Sequence, residues 1–497
     1  MHGIEINEFA VEVAKTALWI AELQASIETS LIIQRVVEDL PLKDGANIVH
    51  GNALQVDWTS VLDPAKCSFV MGNPPFIGYS NLTQEQKVDR EEIFGKSGGT
   101  LDYVACWYRK AADYIEGTSL EVAFVSTNSI CQGQQVTPLW QPLLTGGLFI
   151  NFAHNTFVWA NEATNQAHVH VVIVGFSYKE RAEKQLFSYT RGKLDRVEEV
   201  EHINGYLAPA VDVFITRTSK PLCDVPAMKA GGKPTEGGSL LMWEAERDEL
   251  LAQDPGAAKW IRPFSMGEEF INGKERYCLW ITEDDLPEMA DHPLVLERIR
   301  AVAEYRQKST KKATQKKADI AWRFDEVKDP GETYIGVPKV SSVTRRYIPM
   351  GFVDNGMIPG DKLYFIPTDS LYVFGVMMSH MHNAWLRAVG GRLKSDYSYA
   401  NTIIYNNFIW PDATEEQKQR IEACAQQVIE ARSSYAGKSL KALYKIENEI
   451  LYPRLTAAHR ELDAAVEAAY GQEFHGDEDK MVAHLFQLYA RHTGEGK

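Results

Sequence analysis

Residues 71–78 of this 497-residue chain read MGNPPFIG, and residues 67–70, which precede them, read CSFV. The segment 67–72 is an apolar run of the type that forms a β-strand, and it ends abruptly at Asn73, Pro74, Pro75 and Phe76. The two prolines fix the backbone φ angle and remove two N–H donors. The loop therefore presents its carbonyl oxygens and the Asn73 side chain outward.

This tetrapeptide has the groups needed to hold a planar base that bears an amino group. An exocyclic amino group has two N–H donors, which Asn73 Oδ1 and the Pro74 carbonyl can accept. Phe76 offers an aromatic face for stacking. We therefore expect the loop to hold an adenine extruded from DNA, with its N6 atom directed at a methyl donor. A proline-rich turn after a core strand is the alternative that the tetrapeptide alone leaves open.

Other strand-like segments in the first 130 residues also end in polar residues. Residues 3–7 read GIEIN, residues 48–54 read IVHGNAL and residues 122–128 read VAFVSTN. Helical periodicity covers 9–23, and a second helical stretch opens at Asp102 and runs to about residue 115. This alternation predicts an α/β fold with a doubly wound parallel sheet, whose site lies at the carboxyl edge. There Glu5 is expected to hold the ribose of S-adenosyl-L-methionine and Asn52 to lie beside its adenine.

The order of these residues resembles that of amino-group DNA methyltransferases with the class I (Rossmann-like) fold. Over nearly its whole length, the chain resembles more specifically the MmeI-type (type IIL) restriction–modification enzymes. The segments that carry this resemblance are 3–19, 50–58, 72–80, 124–136, 150–177, 203–215, 391–411 and 462–471. The resemblance implies a site-specific adenine-N6 DNA methyltransferase of a restriction–modification system, which uses S-adenosyl-L-methionine, flips its target base and acts on double-stranded DNA.

The resemblance also shows a departure near Met1. Family members have a nuclease domain, a helical connector and a strand with a DPACGSG-type glycine loop before the first matching segment. The glycine cluster at 97–99 (SGG) is not a substitute for that loop, because it follows no strand. We therefore expect a truncated enzyme, or half of a split enzyme with a separately encoded N-terminal part, that binds the cofactor weakly by itself. Pro411-Asp412 with 416–418 (EQK) only superficially resembles a nuclease motif, because the spacing is short and a helix begins there.

Three parts are predicted along the chain, which is a reasonable number for its length. Residues 1–180 are expected to form a partial adenine-N6 methyltransferase domain. Residues 190–411, with mixed short strands and Gly/Pro turns, are expected to form an α+β target-recognition domain. Residues 412–497 show helical periodicity and are expected to form a helical C-terminal domain.

The formal net charge of −15 disfavours DNA binding by the chain as a whole, but basic residues cluster in its middle. Phosphate contacts depend on local charge, because salt screens over about 10 Å. The residues that we expect to contact DNA are Lys311, Lys312, Lys316, Lys317, Arg345 and Arg346. The two arginines have the donors to reach guanine edges, although the sequence does not separate base from phosphate contact. A solvated surface is the alternative.

Composition excludes several other classes of protein. No apolar run approaches the length of a membrane span, and no secretory signal is evident, so a cytoplasmic protein is expected. The six cysteines are scattered without CxxC or zinc spacing. His168 and His170 alternate in a strand-like run but lack a third ligand, so no metal is expected.

Two further functional classes remain open from the sequence. A protein glutamine methyltransferase also uses an Asn-Pro-Pro-aromatic loop, but such a chain is much shorter and lacks the basic middle region. The chain could instead be a non-catalytic DNA-recognition fragment or subunit. Binding of the cofactor by the isolated chain separates this last reading from the enzyme.

Overall fold

The computed structural model describes residues 1–34, 46–159, 169–190, 192–331, 333–354, 356–393 and 395–494. They fall into two compact units, Met1–Phe214 and Ile215–Lys497. The strands of the first unit are β1 His2–Glu5, β2 Asn47–His50, β3 Phe69–Gly72, β4 Glu121–Thr127, β5 Phe149–Trp159, β6 Val169–Ser177, β7 Lys184–Thr190 and β8 Lys193–Val200. Its helices are α1 Glu8–Ile33, α2 Trp58–Val61, α3 Gln84–Phe94, α4 Ala105–Ile115 and α5 Val136–Thr145.

The first unit contains a six-stranded sheet in the order β3-β4-β6-β5-β7-β8 and a separate parallel pair, β1-β2. Strands β3 and β4 are parallel, as are β5 and β7, whereas β6 runs antiparallel to both β4 and β5. The expected α/β class is therefore confirmed, but the sheet is mixed and not wholly parallel. Only nine residues separate β5 from β6, too few for the crossover that a parallel pair needs.

An aromatic cluster fixes the strands that border the expected site. Tyr108 of α4 contacts three rings, those of Phe124 on β4, Trp140 on α5 and Phe176 on β6, with centroid distances of 5.4–5.5 Å. All four side chains are buried. Each aromatic pair of this kind stabilises by about 0.5–1.5 kcal/mol beyond its area burial. The cluster thus holds β4 and α4 in a fixed relation at the sheet's carboxyl edge.

Several strands of the first unit have an unpaired edge within the described residues, and those of β3 and β1 lie in the strands that lead to the candidate site. Strand β3 pairs only with β4, and β1 pairs only with β2. Beside the first edge, Phe69 and Met71 are 64% and 78% exposed. Helix α1 likewise exposes large apolar side chains: Phe9, Val13, Ile20, Ile27, Leu31 and Ile32. Unpaired edges with exposed apolar neighbours are surfaces to which a further strand can add.

The second unit has three small sheets in the orders β10-β12-β11-β16, β15-β13-β17-β9 and β14-β19-β18. Their strands are β9 Lys229–Ala230, β10 Leu241–Trp243, β11 Ile261–Ser265, β12 Arg276–Leu279, β13 Tyr334–Pro338, β14 Val340–Ser341, β15 Gly351–Val353, β16 Ile358–Pro359, β17 Leu363–Ile366, β18 Gly391–Leu393 and β19 Asp396–Ser398. The helices are α6 Glu244–Gln253, α7 Gly267–Asn272, α8 Leu286–Met289, α9 Pro293–Gln307, α10 Lys312–Gln315, α11 Leu371–Met378, α12 His380–Val389, α13 Glu415–Ser433, α14 Leu440–Leu443, α15 Pro453–Ala469 and α16 Glu478–Thr493.

The helices after residue 412 pack closely on α11. A Cβ atom built on Gly375 of α11 would lie 2.8 Å from the Ile421 side chain on α13, so only glycine allows this approach. Helix α13 begins with a capping box, in which Thr414 and Gln417 satisfy each other's backbone N–H groups. Residues 416–418 therefore form the first turn of a helix, which is not the strand geometry of a nuclease motif.

Candidate active site

The Asn-Pro-Pro-Phe loop leaves the sheet at the carboxyl end of β3, as expected. Asn73 and Pro75 are exposed, Pro74 is buried and Phe76 is half-buried. The loop has few internal hydrogen bonds because its prolines lack N–H groups; Ile77 N donates to the Pro75 carbonyl at 3.2 Å. Among the described residues we find no side-chain partner for Asn73. Its amide thus faces solvent and is available to a ligand.

Asp102 joins this loop to the end of β4. One carboxylate oxygen accepts the Tyr79 N–H at 2.8 Å, and the other accepts the Ser129 hydroxyl at 2.5 Å. The Asp102 N–H donates to Gln135 Oε1 at 3.0 Å, and Tyr103 N donates to the Ile77 carbonyl at 3.0 Å. Asp102 is only 7% exposed. The sequence pattern indicates a helix start here but not this set of contacts.

The polar end of β4 lies next to the same loop in the sheet. Strands β3 and β4 are in parallel register, with Gly72 opposite Phe124. Ser126 is buried and hydrogen-bonded to the Tyr108 hydroxyl at 2.7 Å. Asn128 is also buried, and its Nδ2 donates to Thr156 Oγ1 at 3.4 Å. These side chains are therefore anchored within the fold, in contrast to Asn73.

Glu5 and Asn52 lie at the carboxyl ends of the parallel pair β1-β2. Glu5 Oε1 accepts the Asn7 N–H at 2.8 Å, and the Gly51 N–H donates to the Glu5 carbonyl at 2.9 Å. Asn52 Oδ1 accepts the Leu54 N–H at 3.0 Å. The two predicted cofactor residues are thus brought together at one sheet edge. Within the described residues no strand pairing joins this edge to β3.

A buried carboxylate, Asp89 on α3, orients Asn52. Its oxygens accept Asn52 Nδ2 at 3.1 Å, Gln55 Nε2 at 2.9 Å and the Tyr103 hydroxyl at 2.5 Å. Burial by itself would raise the pKa of Asp89, but the hydrogen bonds from Tyr103, Gln55 and Asn52 outweigh it and lower that pKa. Burial and Asp89 together raise the pKa of Tyr103. Asp89 therefore stays ionised and fixes the Asn52 amide.

The predicted DNA-binding lysines differ in their surroundings. Lys311, Lys312 and Lys316 are exposed around α10. Lys317 is half-buried and forms an ion pair with Asp325, whose carbonyl it also contacts at 2.9 Å. Burial would raise the pKa of Asp325, but Lys317 and Thr235 lower it. Three of the four lysines are therefore free to meet phosphate, whereas Lys317 is engaged within the fold.

The two predicted arginines are also partly engaged. Arg346 Nε donates to Glu449 Oε1 at 2.9 Å, and this hydrogen bond raises the pKa of Arg346. Arg345 is half-buried, its Nη1 lies 3.4 Å from Ser341 Oγ, and burial lowers its pKa. Arg346 is therefore exposed but paired, and Arg345 is half-buried.

Arg306, one of the basic residues of the same region, is fully buried. Its guanidinium donates to five carbonyl oxygens, those of Pro234, Thr235, Lys317, Ile320 and Arg323. It braces the segment that presents the exposed lysines. The burial of Arg306 could have been predicted from the sequence, because position 306 falls on the same helical face as the buried Val295 and Val302.

None of the helices in the described part of the chain combines the length and apolarity that crossing a bilayer requires. Within the same ranges we find no group of three or more His, Cys, Asp or Glu residues placed to bind a metal ion. His168 lies outside the described residues, and His170 is on β6.

Comparison with known proteins identifies the family of this chain. Three family models match in succession: the DNA-methyltransferase domain of MmeI over residues 1–188, its target recognition domain over 209–412 and its C-terminal domain over 413–495. The chain belongs to the MmeI family. The α/β methyltransferase sheet, the target-recognition region and the helical C-terminal region are those of this family.

Two relatives show how much of the family architecture the chain spans. It is 39% identical to DNA methyltransferase A of Bacillus subtilis (strain 168) over 99% of its own length and 56% of that protein. It is 41% identical to the type IIL restriction–modification enzyme MmeI, solved in complex with DNA, with a TM-score of 0.87 over 99% of this chain and 66% of MmeI. The chain therefore spans about half to two thirds of the length of these relatives.

Proposed function

We propose that this chain provides the methyltransferase and DNA-recognition parts of a restriction–modification enzyme that methylates adenine at N6 in a specific double-stranded sequence. The observation that carries the proposal is the exposed Asn73 amide in an Asn-Pro-Pro-Phe loop at the carboxyl end of β3. Family membership supports DNA as the substrate. We assign methyl transfer to the first 180 residues, target recognition to 190–411 and bracing to 412–497, in a cytoplasmic protein.

The loop residues act on the base by positioning it. Asn73 Oδ1 and the Pro74 carbonyl accept the two N–H groups of N6, which increases electron density on that nitrogen and fixes its direction. Pro75 keeps the loop rigid, and Phe76 stacks on the extruded ring. Most of the rate comes from this orientation and from exclusion of water, so no covalent intermediate is needed.

The residues at the ends of β1 and β2 fit the nucleoside end of S-adenosyl-L-methionine. Glu5 uses one oxygen on the Asn7 N–H, which leaves the other for ribose hydroxyls. Asn52 is held by Asp89 in one orientation, as a residue beside an adenine ring requires. When bound, the cofactor supplies an electrophilic methyl group. No metal is needed in this proposal.

The experiment that tests this function uses the purified chain, alone and together with a polypeptide that supplies a strand for β1 and β3, with mixed-sequence duplex DNA and S-adenosyl-L-methionine that carries a tritiated methyl group. DNA is recovered, digested to nucleosides and analysed by mass spectrometry. N6-methyl-2′-deoxyadenosine supports the proposal when sequencing of an undigested portion of the DNA locates it at one recurrent sequence. Label on another base would correct the specificity. In a parallel reaction that offers a protein extract in place of DNA, label on glutamine would favour the protein methyltransferase instead.

The unpaired edges favour a second candidate, in which the chain alone binds DNA but does not methylate it. A further strand, from a segment outside residues 1–497 or from a separate polypeptide, would pair with β1 and β3 and complete the cofactor site. The two candidates differ in cofactor binding by the chain alone, which calorimetric titration measures.

A further inference from the structure

Residues 102–103 lie between the two halves of the candidate site. Asp102 contacts Tyr79 in the segment that follows the Asn-Pro-Pro-Phe loop, and it contacts Ser129 after β4. The next residue, Tyr103, contacts Asp89, which holds Asn52. The base side and the cofactor side therefore meet at one dipeptide before α4.

We propose that Asp102 is a positioning residue, which fixes the Asn-Pro-Pro-Phe loop against the end of β4 so that the Asn73 amide keeps its direction. This inference rests on the proposed methyl transfer, since it concerns the loop that holds the target base. Asp102 does not touch the base or the cofactor in this scheme. It acts through the backbone of Tyr79.

The loop needs contacts from outside to fix it, because its own backbone supplies few hydrogen bonds. Pro74 and Pro75 cannot donate hydrogen bonds, so the segment between β3 and Tyr79 is held at its far end. There Asp102 Oδ1 accepts the Tyr79 N–H at 2.8 Å, and the neighbouring Tyr103 N–H is 3.0 Å from the Ile77 carbonyl. Two consecutive residues thus secure the loop at 77 and 79.

The usual structural role of an aspartate before a helix is to cap it, and Asp102 does not do this. The N-cap residue of α4 is Val104, and no side chain caps this helix. The Ala105 N–H bonds to the Asp102 backbone carbonyl, which leaves the carboxylate for Tyr79 and Ser129. The side chain is therefore directed at the site and not at its own helix.

The position requires hydrogen-bonding geometry more than charge. An asparagine in place of Asp102 can accept the Tyr79 N–H with Oδ1 and donate Nδ2 to Ser129 Oγ, because a hydroxyl also accepts. Alanine removes both contacts. Asp102→Asn should therefore retain function that Asp102→Ala loses, which distinguishes positioning from a role for the carboxylate charge in the chemistry.

The test compares Asp102→Ala, Asp102→Asn and Ser129→Ala with the parent chain by hydrogen exchange of peptides covering 73–81. Asp113→Ala is the matched control, because Asp113 is a carboxylate on α4 that pairs with Arg109 at the surface. We expect exchange of the Tyr79 amide to accelerate at least tenfold in Asp102→Ala and less in Ser129→Ala. Asp102→Asn and Asp113→Ala should match the parent.

Methyl-transfer kinetics, measured with the parent and each variant supplemented by a polypeptide that supplies a strand for β1 and β3, give a second readout. Asp102→Ala should lower kcat on the order of 100-fold, with KM for the cofactor within about twofold, since a misplaced reacting group costs this much. Asp102→Asn should stay within about threefold of the parent. Unchanged exchange in Asp102→Ala, or an Asp102→Asn variant as impaired as Asp102→Ala, would overturn the proposal. Absence of methyl transfer by the supplemented parent would count only against the proposed function, and exchange would still decide the role of Asp102.

Discussion

At the scale of single residues, the proposed chemistry depends on one amide that the fold leaves uncommitted. Asn128 at the neighbouring strand end is buried and bonded to Thr156, and Asn52 is held by Asp89. Asn73 is exposed next to two prolines that cannot compete for its oxygen. A polar side chain without a partner at the carboxyl end of a strand is available to bind a ligand.

For this prediction and the next, the chain is supplemented with a polypeptide that supplies a strand for β1 and β3. Replacing Asn73 with alanine should then abolish methyl transfer and leave DNA affinity largely unchanged. The lost acceptor acts on the amino group in the transition state, so we expect a decrease on the order of 100-fold or more. Initial rates and duplex binding by fluorescence anisotropy measure the two effects. Asn81→Ala, an exposed amide eight residues further on, is the control. A rate within about tenfold of the parent, roughly 1.4 kcal/mol, would remove Asn73 from the mechanism.

Phe76→Ala should slow methyl transfer by about 5- to 150-fold, through loss of stacking worth about 1–3 kcal/mol. Phe76→Tyr keeps an aromatic face and should retain most of the rate. Single-turnover measurements on both variants check this. Equal impairment of the tyrosine and alanine variants would argue against stacking.

These residues were accessible to sequence reasoning because their chemistry is local. Prolines at 74 and 75 restrict the backbone in any fold, so the character of the loop can be read directly. Asp89 and Asp102 were not accessible in the same way. Their partners lie 14 to 37 residues away along the chain, and only the packing of α3 and α4 brings them together.

At the scale of elements, the region around α10 contains both exposed lysines and a lysine that is paired within the fold. Lys311, Lys312 and Lys316 project into solvent, whereas Lys317 is paired with Asp325. A charge run predicts a basic surface, but it does not show which members are neutralised by the fold. Their contribution to DNA binding stays a prediction.

The triple change Lys311→Ala, Lys312→Ala and Lys316→Ala should weaken binding to any duplex. If each lysine meets one phosphate, the slope of log K against log salt becomes less negative by about 2.7. Lys317→Ala is the comparison. It should lower the thermal stability, because the ion pair with Asp325 is lost, and it should change the salt slope little. An unchanged slope in the triple variant would assign these lysines to a solvated surface.

Two carboxylates on α15 and α16 give opposite pH dependences to the stability of the helical region. Burial raises the pKa of Asp463 to about 6, although Tyr347 and His380 donate to it. Burial would also raise the pKa of Glu478, but His380 and Arg387 outweigh it and lower that pKa to about 2. Folding thus favours protonation of Asp463 and ionisation of Glu478.

Asp463→Asn should therefore gain stability relative to the parent as the pH rises. The parent's benefit from a protonated Asp463 is complete below pH 3.8 and is lost as the pH rises through about 6. Glu478→Gln should show the reverse sign, because the benefit of ionised Glu478 is present above pH 4.5 and is lost as the pH falls through about 2. Urea unfolding measures this, between about pH 3.5 and 7.5 for the parent and Asp463→Asn and between about pH 2 and 5 for the parent and Glu478→Gln. Parallel pH profiles for the parent and Asp463→Asn would contradict it.

At the scale of the whole molecule, the sequence predicted the class of fold better than the direction of its strands. The alternation of strands and helices in 1–128 correctly indicates β1 to β4 and the helices α1 and α4, but it does not indicate α2 or α3. It does not reveal the antiparallel β6, which depends on the short connection after Trp159. It also does not reveal that β1-β2 and β3-β4 belong to different sheets, because strand neighbours are decided by tertiary pairing.

This separation leads to the last prediction, which concerns the cofactor. Glu5 and Asn52 are together on the β1-β2 pair, whereas Asn73 follows β3, and no strand pairing links the two within the described residues. The residues that hold the nucleoside end are therefore not fixed by the sheet that holds the base, and the open edges beside them reduce the stability of both. We expect the 497-residue chain alone to bind S-adenosyl-L-methionine weakly or not at all, to transfer no methyl group and to leave DNA uncut.

Calorimetric titration, a methyl-transfer assay and plasmid incubation measure these three properties. Addition of a polypeptide that supplies a strand for β1 and β3 should restore binding and transfer together. Micromolar affinity with turnover by the chain alone would mean that its two sheets already form a working cofactor site.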